Sequence, residues 1–376
     1  DMKKTFAIAL CVAAAGSLCA QNNDELKQLV EQGNKEFSEY DKMLLKQQID
    51  PASVDANQMG QTLLNGYGLL MKALPLDSVP NAKGKVNPKN SKKIVNTILG
   101  HANDFFNVGG SLFNSQHYYP QAYEAFMVYA DMPGVAALAK SGEQINESQR
   151  ATAYFNAGLA AYSGNEVTKS AEAFKKARLN NYEQPEAYIY EIACWQSMMQ
   201  KDSTLEVQAQ RNINEIAKAG FDKFGIAQPV FLNNLVNSMI TDNKGAEALA
   251  LVKGEVEKNP ENANLHGLLG FIYDRMENDA ESEAAYRKAA SIADADYETL
   301  LNSAKKIFRT GTEKWNLIEG NSAEAREQRN NVKVNYFEAA KAIAEKAKAI
   351  RGDKPDNTLN YLLDSIQYNL DTYFQQ

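Results

Sequence analysis

Apolar side chains recur every three or four residues along nearly all of the chain beyond residue 24, which places them in a stripe on one face of a helix. Leu26, Leu29, Val30, Phe37, Met43 and Leu44 predict a helix over residues 24–48, and a second runs from Met59 to Leu74. Residues 78–92, with Pro80, Gly84 and Pro88 among lysines and asparagines, read as a loop. A single helix is expected from Ile94 to Phe113, and Pro120 to Asp131 forms its partner with Ala122, Phe126 and Tyr129 on one face. Residues 133–147 read as an insertion. Helical pattern then returns over 151–184, 186–200, 205–218, 229–262 and 263–296. Near the end, Tyr297 to Arg309 is a helix. Ser322 to Ile350 is a longer one rich in Ala, Glu and Lys, closed by Gly352 and Pro355, and Thr358 to Phe374 is the last.

Within this rhythm a longer period of about 34 residues stands out. In the segment Glu261–Asp296, Leu269 and Gly270 adjoin, Tyr273 follows, and Tyr286 and Ala289 come later. The preceding segment, Pro229–Asn262, carries Leu235, Ala248, Val252 and Pro260 in register with it. Tyr154, Ala157, Gly158, Phe174 and Ala177 repeat the pattern over 151–184, with Ser170 where alanine is usual. Small residues let two helices approach, and a large side chain on the second helix fills the gap they leave. One extra residue near His117–Tyr119 breaks the register of the copy that holds Gly109.

On these residues the chain resembles the tetratricopeptide repeat (TPR) family, and it is similar to exported repeat proteins of Gram-negative, Bacteroidetes-type gut anaerobes. The repeat motif covers roughly half of the chain. The resemblance implies an all-α fold, a right-handed superhelical α-solenoid of TPR-like antiparallel helix pairs, with extended helices at the C-terminus. The expected organisation is an export leader over 1–20 and a helical region with a degenerate repeat over 21–100. The solenoid follows over 101–296, and a long-helix repeat and cap over 297–376.

Lys3 and Lys4 precede an apolar run from Phe6 to Leu18, which is too short to span a membrane; this predicts a signal peptide cut between Ala20 and Gln21, with Cys19–Ala20 as the second choice, and a periplasmic product. Leu18 rather than a small residue precedes Cys19, and Gly16 stands where a lipobox has leucine, so lipidation of Cys19 is not expected. Cys11 and Cys19 would leave with the leader. Cys194, in the apolar run Ile192–Trp195, is then the one remaining cysteine, expected to be a buried small side chain, as is Trp195. The chain carries a formal charge of −7, and loss of Lys3, Lys4 and Asp1 with the leader makes it −8. An acidic chain is a poor match to nucleic acid, and no second apolar stretch reaches spanning length.

Catalytic signatures are missing: there is no G-x-S-x-G, P-loop, H-E-x-x-H or dinucleotide fingerprint, and the three histidines, His101, His117 and His266, are far apart. No enzyme activity, cofactor or metal site is expected. The resemblance implies that the first helix of each pair faces a concave groove. The positions involved hold Phe106, Phe113 and Asn114, then Phe155, Leu159, Tyr162 and Ser163, and later Asn233, Asn237, Phe271, Asp274 and Arg275. Amides match a peptide backbone and rings cover apolar side chains, so the expected partner is a protein or peptide in an envelope complex. For Phe106 and Phe155, packing between repeats is an equal alternative, whereas Asn233, Asn237 and Arg275 point to the groove. Asn233 and Leu268 stand where carboxylate-clamp members carry lysine and asparagine, which argues against that docking mode. A second function class is glycan capture, which favours exposed Trp and Tyr; only Trp195 and Trp315 are present. The triplets Asp77–Val79, Asp202–Thr204 and Asp364–Ile366 resemble an O-glycosylation signal, with Ser78 and Ser203 in turns.

Overall fold

The computed structural model describes residues 22–80, 85–86 and 88–373; the expected leader and Cys19 lie outside them. The described chain is all-α and lacks strands, and it forms two compact units, Asp1–Ile213 and Asn214–Gln376.

The first unit holds α1 (Met2–Ile49, described from Asn22), α2 (Ala56–Asp77), α3 (Ser91–Gly100), α4 (Ala102–Asn114) and α5 (Tyr119–Asp131). After two 3-10 turns come α6 (Glu147–Ser163), α7 (Val167–Leu179), α8 (Glu186–Lys201) and the start of α9 (Glu206–Phe224). Consecutive helices pack against each other: α1 on α2, α4 on α5, α5 on α6, α6 on α7, α7 on α8. Gly109 and Gly158 are the close points, where an added Cβ would meet the Phe126 ring at 2.9 Å and the Phe174 ring at 2.5 Å. The extra residue before Tyr119 leaves this crossing intact because the turn absorbs it, with Gln116 at φ 60°.

One expectation shifts here. The stretch expected as one helix from Ile94 breaks at His101, whose Nδ1 faces the Thr97 carbonyl at 2.8 Å and whose Nε2 faces Asp41 Oδ1 at 3.0 Å. The loop after α2 is tied at its base. Asp77 accepts hydrogen bonds from the backbone N–H of Asn90 and Ser91, the Asn90 amide and the Ser91 hydroxyl, all at 2.7–3.1 Å. Burial works to raise its pKa, but these donors prevail and hold the carboxyl below the usual carboxylate range.

The second unit continues α9 and adds α10 (Pro229–Thr241), α11 (Gly245–Lys258), α12 (Ala263–Arg275), α13 (Asp279–Ser291) and α14 (Tyr297–Asn316). It ends with α15 (Ala323–Val332), a π-helical turn (Lys333–Glu338), α16 (Ala339–Arg351) and α17 (Asn357–Phe374). Helix α14 runs seven residues past its expected end at Arg309. Gly311 on that added length lies under Tyr336 and Phe337, which the π turn presents to it; an added Cβ would meet Tyr336 Cβ at 2.5 Å. The long helix expected over 322–350 is thus one run with a widened turn inside it. Phe337, Ala340, Ala344, Ala347, Leu359, Leu362 and Ile366 form its core with Leu300, Leu301, Ala304 and Ile307 of α14.

Candidate functional site

Helices α10 to α14 show how the repeat sequence builds a surface. The turns inside the pairs are the same: Asn243 and Glu277 take φ 58°, and Lys244 and Asn278 donate back to the carbonyls of Met239 and Tyr273 at 2.7 and 2.9 Å. This left-handed closure satisfies helix-end carbonyls and reverses the chain within a few residues. Across the α12–α13 pair, Gly270 lies against the Tyr286 ring, which an added Cβ would meet at 2.7 Å. Across α10–α11 the volumes are shared out differently, with Val236 and Val252, both fully buried, in one cluster with Ala248. The first helices meet in turn, α10 on α12 and α12 on α14, leaving one common face.

On that face lies a cleft of about 600 Å³. Its floor includes Leu268 and Phe271 of α12. Four amides line it: Asn233 and Asn237 from α10, Asn264 from α12 and Asn302 from α14. Neighbouring asparagines are committed elsewhere, Asn234 to the Val230 carbonyl and Asn262 to the N-terminus of α12. The four lining amides make no side-chain hydrogen bond among the described residues. Asp296 and Glu298 are the only charged side chains on the wall, and no Lys, Arg or His joins them. Asp296 caps α14 by accepting from the Thr299 N–H at 2.8 Å, while Glu298 is exposed. Tyr286 also reaches the wall; burial first, and Asp274 next, push its phenol up to about 12, so it stays neutral.

Of the residues singled out in the sequence, the structure gathers Asn233, Asn237 and Phe271 here. Arg275 is exposed one turn beyond Phe271 and outside the lining. Asp274 is held by Lys306 at 2.7 Å and by Arg309. Asn264 and Asn302 were not anticipated. Asn264 falls off the groove positions of the repeat, and Asn302 sits on α14, where no repeat motif supplied a register.

The first unit presents an aromatic surface instead. Phe155 stacks on Tyr182, with ring centroids 4.5 Å apart, and touches Phe174 and Tyr190. Phe106 meets Phe126 and Tyr129, and Phe113 meets Tyr119. These phenylalanines are half-buried, so they pack while showing an edge; Tyr162, 52 % exposed, is the open ring of the set. Cys194 is buried and donates to Ser170 Oγ at 3.4 Å, and burial pushes its thiol up, an unreactive setting. Trp195 is half-buried rather than enclosed. Trp315 stacks on Tyr373 at 4.5 Å with Arg329 over its ring, so it is no free sugar platform.

Among the described residues no cluster of His, Cys, Asp or Glu could hold a metal ion, and no helix is long and apolar enough to cross a membrane. The class these features define is an all-α fold of stacked, tetratricopeptide-like helix pairs. No protein-family model matches the chain, and no curated protein matches it. Solved structures similar to it include a thermophilic TPR protein of Thermus thermophilus, with 16 % identity over 58 % of this chain and 99 % of that one and a TM-score of 0.35. A TPR-repeats protein of Bacteroides fragilis gives 14 % identity over 71 % and 98 %, with a TM-score of 0.31. An assembly chaperone of RpL4 gives 12 % over 77 % and 98 %, with a TM-score of 0.38.

Proposed function

We propose that the chain is a non-enzymatic scaffold that holds an extended segment of a partner polypeptide in the cleft of its second unit. The observation that carries this is the set of four unpartnered asparagine amides above an apolar floor. Each amide offers an acceptor and two donors, and an extended backbone offers the complementary groups at every residue. Asn233 and Asn237 are one helical turn apart, about 6 Å of rise. Two residues of an extended chain advance about 6.6–6.8 Å. Successive amides therefore meet alternate peptide groups, and the side chains between them point to Leu268 and Phe271. The leader-like pattern of Lys3, Lys4 and residues 6–18 supports a periplasmic setting for this role, as part of an envelope complex.

The test is retention of a library of N-acetylated, C-amidated nonapeptides on the immobilised protein. Wild type is expected to retain a subset, and the Asn233→Ala/Asn237→Ala variant to bind that subset about tenfold more weakly, as loss of two modest hydrogen bonds implies. Equal retention by the variant would overturn the reading. For the setting, mass spectrometry of the native protein should show an N-terminus at Gln21; a lipid-modified Cys19 would contradict it.

A further inference from the structure

Resting on that reading, we infer that the cleft selects a partner segment carrying a lysine or arginine at one end of its docked stretch and excludes a segment with a carboxylate there. Asp296 and Glu298 both stand at the start of α14, beside Asn264 near the start of α12 and Pro229 at the start of α10. Three helix N-termini share this end, and each contributes about half a positive charge at most. Together they do not cancel two full carboxylates. No cationic side chain on the wall does so either.

The two carboxylates differ in what they can offer. Asp296 Oδ1 is engaged by the Thr299 N–H. Glu298 makes no hydrogen bond or ion pair among the described residues and is exposed, which leaves it able to turn toward a bound cation. The amides are neutral and read backbone, so they are indifferent to side-chain charge. Docking and charge selection thus reside in different residues: Asn233, Asn237, Asn264 and Asn302 hold the main chain, and Glu298 selects the side chain at its end. A ligand ending in a free carboxylate would bring like charge to this end of the cleft and find no cationic side chain on its wall to offset it.

The experiment is a positional scan of a retained blocked nonapeptide, placing Lys, Gln and Glu at each site and reading affinity by fluorescence polarisation. One terminal position should bind Lys about two- to fivefold more tightly than Gln, the range of a partly exposed ion pair, with Glu weaker than Gln. The preference of Lys over Gln should shrink in high salt and vanish in Glu298→Gln. Persistence of the Lys preference in Glu298→Gln, or absence of any charge preference in wild type, would overturn the inference while leaving backbone docking in place. Failure of every blocked peptide to bind would overturn the docking itself. A thermal melt of Glu298→Gln matching wild type separates loss of selection from loss of fold.

Discussion

Ser282 Oγ donates to the Gly270 carbonyl at 2.9 Å, tying the second helix of a pair to the first at the point of their closest approach. Ser170 makes the same bond to Gly158, also at 2.9 Å. Both serines are fully buried. In the sequence Ser170 reads as a small residue standing in for alanine, yet its hydroxyl gives the glycine carbonyl a second donor beyond the helix ladder. Cys194 then donates to Ser170, so one chain of hydrogen bonds runs from α8 through α7 to α6.

A methyl group at Gly270 has nowhere to go, since the Tyr286 ring is 2.7 Å from the Cβ position and is itself buried. Gly270→Ala should destabilise the second unit by about 1–3 kcal/mol. Gly254→Ala, in open space on α11, should be neutral or stabilise by up to about 1 kcal/mol. Urea denaturation of the two variants compares them directly. In the first unit, Gly158→Val should recover much of its loss when combined with Phe174→Val, which copies the Val236–Val252 arrangement.

Glu277 adopts φ 58° without being glycine. That conformation costs an L side chain roughly 1–2 kcal/mol, against about 0.5–1 kcal/mol of entropy lost by glycine. Glu277→Gly should therefore raise stability by up to about 1 kcal/mol, whereas Glu277→Val should lower it. Melting temperatures of the pair provide the check.

Arg178 and Glu191 form a buried ion pair, 2.8 Å apart and 7 % and 2 % exposed, between α7 and α8. Glu191→Ala should cost about 3–5 kcal/mol, because it removes the carboxylate that faces a buried guanidinium. Replacing both residues by Met should cost far less than the single change. A double-mutant cycle in guanidinium chloride measures the difference.

Asp77 ties Asn90 and Ser91 with an ionised carboxyl whose pKa is depressed in the folded chain. A depressed acid contributes stability that is present above its unfolded value, near 4, and is lost as pH falls through the lower folded value. Acid melting of wild type should therefore show a loss of stability below about pH 4 that is reduced in Asp77→Asn. At neutral pH, Asp77→Ala should cost about 2 kcal/mol. A pH series of thermal melts reads both.

The helix pairs were legible because a glycine and a ring sixteen residues apart, as in Gly158–Phe174 and Gly270–Tyr286, specify a close crossing that few other folds use. Pairing was harder to see where the close contact is not of this form. An added Cβ on Gly220 would meet the Phe231 ring at 2.6 Å, and one on Gly60 would meet Leu112 at 2.7 Å, at spacings outside the repeat. The break at His101 was invisible because periodicity runs through it; a side chain bonding backward to Thr97 and across to Asp41 makes it. In the cleft, repeat register located Asn233, Asn237 and Phe271, but for Phe155 it left groove and packing equally open. Register alone does not reveal that Tyr182, brought round by the left-handed Asn181, stacks over Phe155. Asn302 required knowing that α14 lies beside α12.

Docking in the second unit is tested most directly by the side-chain NH₂ signals of ¹⁵N-labelled protein during titration with a retained blocked nonapeptide. The signals of Asn233, Asn237, Asn264 and Asn302 should shift together and saturate at one peptide concentration, while that of Asn234, whose NH₂ already donates to the Val230 carbonyl, stays in place. Saturable binding that leaves these four signals unmoved would contradict it.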